Sequence, residues 1–221
     1  MIGFALYCVI TEWMSWYRPS NAAPIIQSIL AILIIIFATV KLLSLRKTLK
    51  HLRLGKEGEM AVGQYLDKLR AEGYQVLHDI VGDKFNIDHV IIGPAGIFAI
   101  ETKTLSKKTK GNPTIKYDGD NILVDGHSPD RDPIVQIKAA SRWLQELLKE
   151  STGRDFSVKA VILYPGWYIE QTGKNKNSNL WVLNPKGLPA FLNHSNVGIS
   201  PEDIHLVTYH LCRHVRTSQK V

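Results

Sequence analysis

Asp88, Glu101 and Lys103 are the residues whose types and spacing carry chemistry. They lie in the stretch 85–103, Phe-Asn-Ile-Asp-His-Val-Ile-Ile-Gly-Pro-Ala-Gly-Ile-Phe-Ala-Ile-Glu-Thr-Lys. A hard divalent cation such as Mg²⁺, or Mn²⁺, is the usual remedy for two carboxylates held a few ångströms apart. A lysine beside that cation can hold or deprotonate an attacking water, or stabilise charge building on a phosphoryl group. The plainer alternative is a surface salt bridge from Lys103 to Glu101 or to Asp88.

Which of these holds depends on the elements that carry the three residues. Two apolar, β-branched runs, 87–92 and 97–102, flank Gly93-Pro94-Ala95-Gly96, so the unit predicts a β-hairpin. Side chains alternate along a strand, which puts 101 and 103 on one face and Ile100 and Thr102 on the other. A register placing Asp88 opposite that pair gathers two carboxylates and one amine at the edge of an apolar sheet.

Asp88 followed by Glu101-x-Lys103 after a Gly-Pro-x-Gly turn resembles the core of the PD-(D/E)xK nuclease superfamily. The wording Asn-Ile-Asp-His-Val-Ile-Ile-Gly-Pro-x-Gly-Ile-Phe-x-Ile-Glu-Thr-Lys is similar to the nuclease-related domain called NERD, over roughly residues 54–164. The resemblance implies a restriction-endonuclease-like α/β fold, a mixed sheet flanked by helices. It also implies Mg²⁺-dependent phosphodiester hydrolysis of nucleic acid, DNA more readily than RNA, with Asp88 and Glu101 as metal ligands and Lys103 activating water. Gly55-Lys56-Glu57-Gly58-Glu59 matches the family's Gly-x-x-Gly-Glu helix start, making Glu59 a third acid of the site. By spacing alone Glu59 lies on the stripe of Val62, Leu66 and Leu69, and favourable charge at a helix N-terminus explains it equally well. Gln136, one turn into the helix after the Glu-x-Lys strand, resembles the accessory glutamine that places substrate or water.

The chain divides into an anchor, 1–53, and a domain, 54–221. Residues 25–45 carry one charge, Lys41, and at about 1.5 Å per residue reach roughly 30 Å, enough for a transmembrane helix. Residues 2–17, apolar and then aromatic through Trp13, Trp16 and Tyr17, predict an interfacial segment or a second short span. Arg18 alone precedes the long span closely. Lys41, Arg46, Lys47, Lys50, Arg53 and Lys56 crowd its far end, which places the domain in the cytoplasm and sets the basic stretch 46–56 against anionic lipid headgroups.

Within the domain, helical spacing from Gly55 to a stop at Gly73 precedes a strand at 74–81. Lys107, Lys108, Lys110 and Lys116 follow the proposed site and are candidate phosphate contacts, or simply a solvated face. Short strands are expected at 114–117 and 121–124. A helix capped by Asp132 with Pro133 runs to about Lys149, a buried strand covers 158–164, and a shorter strand covers 180–183. A last helix follows Ser200-Pro201. His78 and His89 are expected as half-buried strand histidines; His210 and His214, four apart on the last helix, lack a third ligand nearby in sequence.

Composition bounds the rest. In 221 residues, 45% hydrophobic and 21% charged, a net charge of +7 and a pI near 9.3 favour an anionic partner, nucleic acid or lipid. Two cysteines, Cys8 and Cys212, offer no disulfide framework. No dinucleotide-binding, Walker or nucleophile-triad wording occurs, which removes support for nucleotide-binding and acyl-transfer chemistry. The rivals to a nuclease are a tethered nucleic-acid-binding module that does not cut, and a lipid-surface interaction protein.

Overall fold

The structure is a computed structural model that describes residues 2–15, 23–82, 85–106, 114–172, 179–195 and 198–218. Contacts group the chain into two units, 1–53 and 54–221.

The first unit holds α1 (Ile2–Ser15) and the beginning of α2 (Ala23–Asp67). Fourteen residues of α1 rise about 21 Å, short of a hydrocarbon core. Trp16, Tyr17 and Arg18, part of the expected aromatic and basic border, lie outside the described residues. The helical stretch from Ile25 to Glu72 is long and apolar enough to cross a membrane; its apolar window has a mean hydropathy of 2.5 and is 6% buried. The expected helix end near Leu45 is a correction: α2 continues to Asp67 and passes into a 3-10 turn over Lys68–Glu72. Leucine, lysine and arginine between 45 and 56 are good helix formers, and Gly55 and Gly58 each cost only about 1 kcal/mol without breaking the ladder.

The second unit is mixed α/β. Its main sheet has the order β1 (Gln75–Val81), β2 (Asn86–Gly93), β3 (Gly96–Thr102), β6 (Val158–Leu163), β8 (Leu180–Leu183). The first three strands form an antiparallel meander, and β6 and β8 add in parallel. Parallel pairing of β3 with β6 needs a crossover, supplied by α3 (Pro133–Thr152). Asp132 caps α3 by accepting the Ile134 N–H at 2.8 Å, Pro133 opens the first turn, and Gly153 closes the helix with φ +70°. A second sheet, β5 (Ile122–Val124), β4 (Thr114–Tyr117), β7 (Tyr168–Gln171), packs Ile115, Tyr117 and Ile122 into the same core as α3.

Strand alternation divides the main sheet between two cores. Val90, Ile92, Ile97 and Ala99 face α3 and α5 (Pro201–Ser218), whereas Val76, Ile91, Phe98 and Ile100 face Val62 and Leu66 of α2 and Leu69 of the 3-10 turn that follows it. The two-residue turn between β2 and β3 pairs Gly93 with Gly96. Gly93 is required there, because a Cβ would stand 2.2 Å from the Tyr74 ring.

Two elements were not expected from sequence, β7 and the short α4 (Leu188–Asn193). In α3 the fully buried stripe is Ile134, Ile137, Ala140, Ser141, Leu144 and Leu148, with Trp143 and Leu147 only partly buried against the core.

Candidate active site

β2 and β3 pair His89 with Ile100, so the next position along the ladder sets Asp88 opposite Glu101. Glu101 lies on the face of Ala99, where Gln136 of α3 meets it. The Thr102 N–H donates to Asp88 Oδ2 at 2.7 Å, tying the end of β3 to the carboxylate of β2.

Glu101 is buried, and its Oε1 accepts from two donors. Lys103 Nζ lies 2.6 Å away and Gln136 Nε2, from α3, 2.8 Å away. Lys103 Nζ also donates to Gln136 Oε1 at 2.9 Å, closing a triangle of carboxylate, ammonium and amide. Gln136 reaches the strand ends because Asp132 and Pro133 start α3 just above them.

Glu59 approaches from α2. Its pKa is raised by burial, then by the charges of Asp79 and Glu101, and lowered in part by Lys103. Gly58 makes this approach possible: a Cβ at 58 would meet Thr104 Oγ1 at 1.7 Å. Asp88 is pushed up to about 7, first by burial and then by the charge of Glu101, against the pull of the Thr102 N–H. Burial, then Asp132 and Glu101, also pushes the Tyr164 hydroxyl up. The cluster is thus short of positive charge near Asp88, which is the setting in which carboxylates take a hard cation. Among the described residues, no three His, Cys, Asp or Glu side chains already stand in metal-holding positions. Asp88 and Glu101, with Glu59 as a further acid, are the oxygen donors a divalent cation would call on here.

Asp79 was missed by sequence reasoning. It falls between the pairs His78↔His89 and Ile80↔Ile87, opposite Asp88, with φ +52°. Its charge is the strongest electrostatic influence on Glu59. An aspartate inside an apolar strand pattern was the available signal, and positive φ in a non-glycine residue marks strain of the kind that collects at functional sites.

Other candidates lie elsewhere. Lys107, Lys108 and Lys110 fall outside the described residues. Lys116 is exposed on β4, 3.5 Å from Glu170 of β7. His78 and His89 share a contact between their Nδ1 atoms at 2.8 Å, and burial, then His78, lowers the His89 pKa to about 4. They stand beside Gly63 of α2. His214 binds the Val81 carbonyl at 2.9 Å through Nε2 and packs on Trp143, while His210 stacks edgewise on Tyr209.

The nuclease-related domain family, NERD, matches residues 54–165, about half of the chain. An uncharacterized protein of Bacillus anthracis is 43% identical over 54 residues, 22% of this chain. The chain spans about a quarter of the length of that curated relative, 26%. Among solved structures, Pyrococcus furiosus SfsA in complex with Ca²⁺ aligns at 15% identity and a TM-score of 0.23, over 68% of this chain and 49% of its own.

Proposed function

The chain belongs to the nuclease-related domain family, and from that premise we propose that it is a membrane-anchored, metal-dependent phosphodiesterase acting on nucleic acid, DNA before RNA, at the cytoplasmic face. The observation that carries this reading is the Lys103 ammonium held 2.6 Å from buried Glu101, with Asp88 opposite on the neighbouring strand. Mg²⁺ or Mn²⁺ bound by Asp88 and Glu101, with Glu59 beside them, would supply Lewis acidity and a water of lowered pKa.

The protein's own groups do the remaining work. Lys103 gives up its bond to Glu101 to orient water or to meet charge on the phosphoryl oxygens. Gln136 holds Lys103 and Glu101 in register through its two amide atoms. The Thr102 N–H keeps Asp88 aimed, and Glu59 adds a third acid beside the pair. Positioning supplies most of the effect in such a site.

The length and apolar character of the helix support a membrane anchor for this domain. The basic stretch 46–56 lies against anionic headgroups, and its excess of lysine and arginine over the preceding flank turns the domain to the cytoplasm. Lys116, and in sequence Lys107, Lys108 and Lys110, serve as phosphate contacts. A calorimetric titration of Mn²⁺ or Mg²⁺ into the full chain in detergent, with a short DNA duplex present, tests the reading. Saturable binding that Asp88→Asn removes supports it; heats that are identical in parent and variant refute it.

A further inference from the structure

We propose that the Tyr164 hydroxyl is a further catalytic group of this site, donating a hydrogen bond to a non-bridging oxygen of the scissile phosphate, an inference that rests on the nuclease reading above. Tyr164 directly follows β6 and packs in the core shared with α3.

Register brings it to the site. β3 and β6 run parallel with Glu101 beside Ile162 and Thr102 beside Leu163, and the Lys103 N–H donates to the Leu163 carbonyl at 2.9 Å, so Tyr164 comes next to Lys103. Ile162 and Tyr164 belong to the core that α3 covers, the side on which Gln136 meets Glu101. The backbone of Tyr164 is held at both of its polar groups. Its N–H donates to the Leu183 carbonyl at 2.9 Å, and its carbonyl accepts the Trp167 N–H at 3.3 Å across a Pro165-Gly166 turn in which Gly166 has φ +75°.

The residue is 1% exposed, yet its hydroxyl makes no hydrogen bond among the described residues. A buried polar group without a partner is rare and calls for one. The charges that reach the hydroxyl are those of Asp132 and Glu101, and both carboxylates already have donors. Asp132 accepts the Ile134 N–H at 2.8 Å, and Glu101 Oε1 accepts from Lys103 and Gln136. The phenol is left for a group that enters the site.

A phosphodiester supplies that group. Its non-bridging oxygens carry the negative charge that must be met as water adds to phosphorus. A phenol kept protonated by burial offers an O–H that needs no rearrangement and adds no charge beside the carboxylates. Lys103 must release Glu101 and Gln136 to reach a phosphate, whereas Tyr164 has no such bond to give up.

The test compares the full chain and Tyr164→Phe in detergent with Mn²⁺ on three DNA oligonucleotides of one sequence, carrying oxygen, Rp sulfur or Sp sulfur at each linkage. On the oxygen substrate Tyr164→Phe is expected to lower kcat about 10–100-fold, with KM, Mn²⁺ affinity and melting temperature at parent values. On one of the two sulfur substrates the parent-to-variant ratio is expected to shrink to below about threefold, because sulfur is a weak acceptor for the hydroxyl. Parent kcat in Tyr164→Phe would overturn the role of Tyr164 alone. Equal ratios on all three substrates, or a kcat loss that comes with a lowered melting temperature or Mn²⁺ affinity, would overturn the phosphate contact and leave Tyr164 as a support for α3 through Asp132. A parent that cuts none of the three would overturn both this role and the nuclease reading.

Discussion

Asp88 accepts the backbone N–H of Thr102 at 2.7 Å, so the carboxylate of one strand is tied to the residue that separates Glu101 from Lys103 on the next. The bond holds two carboxylates together that burial and mutual repulsion would otherwise separate. It also sets the terms on which the site responds to pH, to substitution and to metal.

Asp88 is displaced upward from 3.8 to about 7, by burial and then by Glu101. Between those values the native state keeps a proton that the unfolded chain releases. Stability therefore falls as pH rises from about 4 to about 7 and stays at the lower level above that. Asp88→Asn, which can still accept from Thr102, should raise stability at pH 8 by on the order of 2 kcal/mol without metal. Thermal melts should show this gain shrinking towards pH 4, and millimolar Mn²⁺ should raise the melting temperature of the parent but not of the variant.

Lys103→Met removes one of two donors from a buried carboxylate, and should cost about 1–3 kcal/mol at pH 7 in chemical denaturation. Gln136→Ala removes the amide that bridges Lys103 and Glu101. It should cost about 1 kcal/mol in stability and reduce metal affinity or turnover on the order of tenfold, as loss of a supporting partner does. A Gln136→Ala protein with parent turnover would remove Gln136 from the site.

Gly58→Ala tests how Glu59 is delivered. Helix propensity alone makes this exchange favourable by about 1 kcal/mol. The new methyl group, however, would stand 1.7 Å from Thr104 Oγ1 and 2.8 Å from Thr104 Cβ, so α2 around position 58 must move away from Thr104 and carry Glu59 with it. Net destabilisation of about 1–3 kcal/mol is expected. Combining Gly58→Ala with Thr104→Gly should recover most of it, a coupling that a double-mutant cycle in thermal melts would display.

The hairpin was legible because its two runs alternate cleanly around a glycine-rich turn, and the register of Asp88 against Glu101 follows from Gly93 pairing with Gly96. The start of α3 was legible from Asp132-Pro133, and its crossover fixed β6 as parallel to β3. β7 was not, since Tyr168–Gln171 is short, half exposed and defined only by pairing with β4, a partner some fifty residues earlier. The length of α2 was missed because glycines at 55 and 58 suggested a boundary, whereas Gly58 is used for a close approach to Thr104 that no local pattern reveals and Gly55 costs the helix only about 1 kcal/mol. The role of Asp79 depends on a positive φ and on two neighbouring strands, neither of which can be seen in its own segment.

The central claim is that Asp88, Glu101 and Lys103 together hydrolyse a phosphodiester with a divalent cation. The most direct measurement is cleavage of an end-labelled DNA by the full chain in detergent, with Mg²⁺ or Mn²⁺, beside Asp88→Ala and Lys103→Ala. The account predicts metal-dependent product from the parent and a loss on the order of 10²-fold or more in each variant, the scale expected when a group stabilising the transition state is removed. Variants that cut as fast as the parent, or a parent that makes no product with either metal, would contradict it.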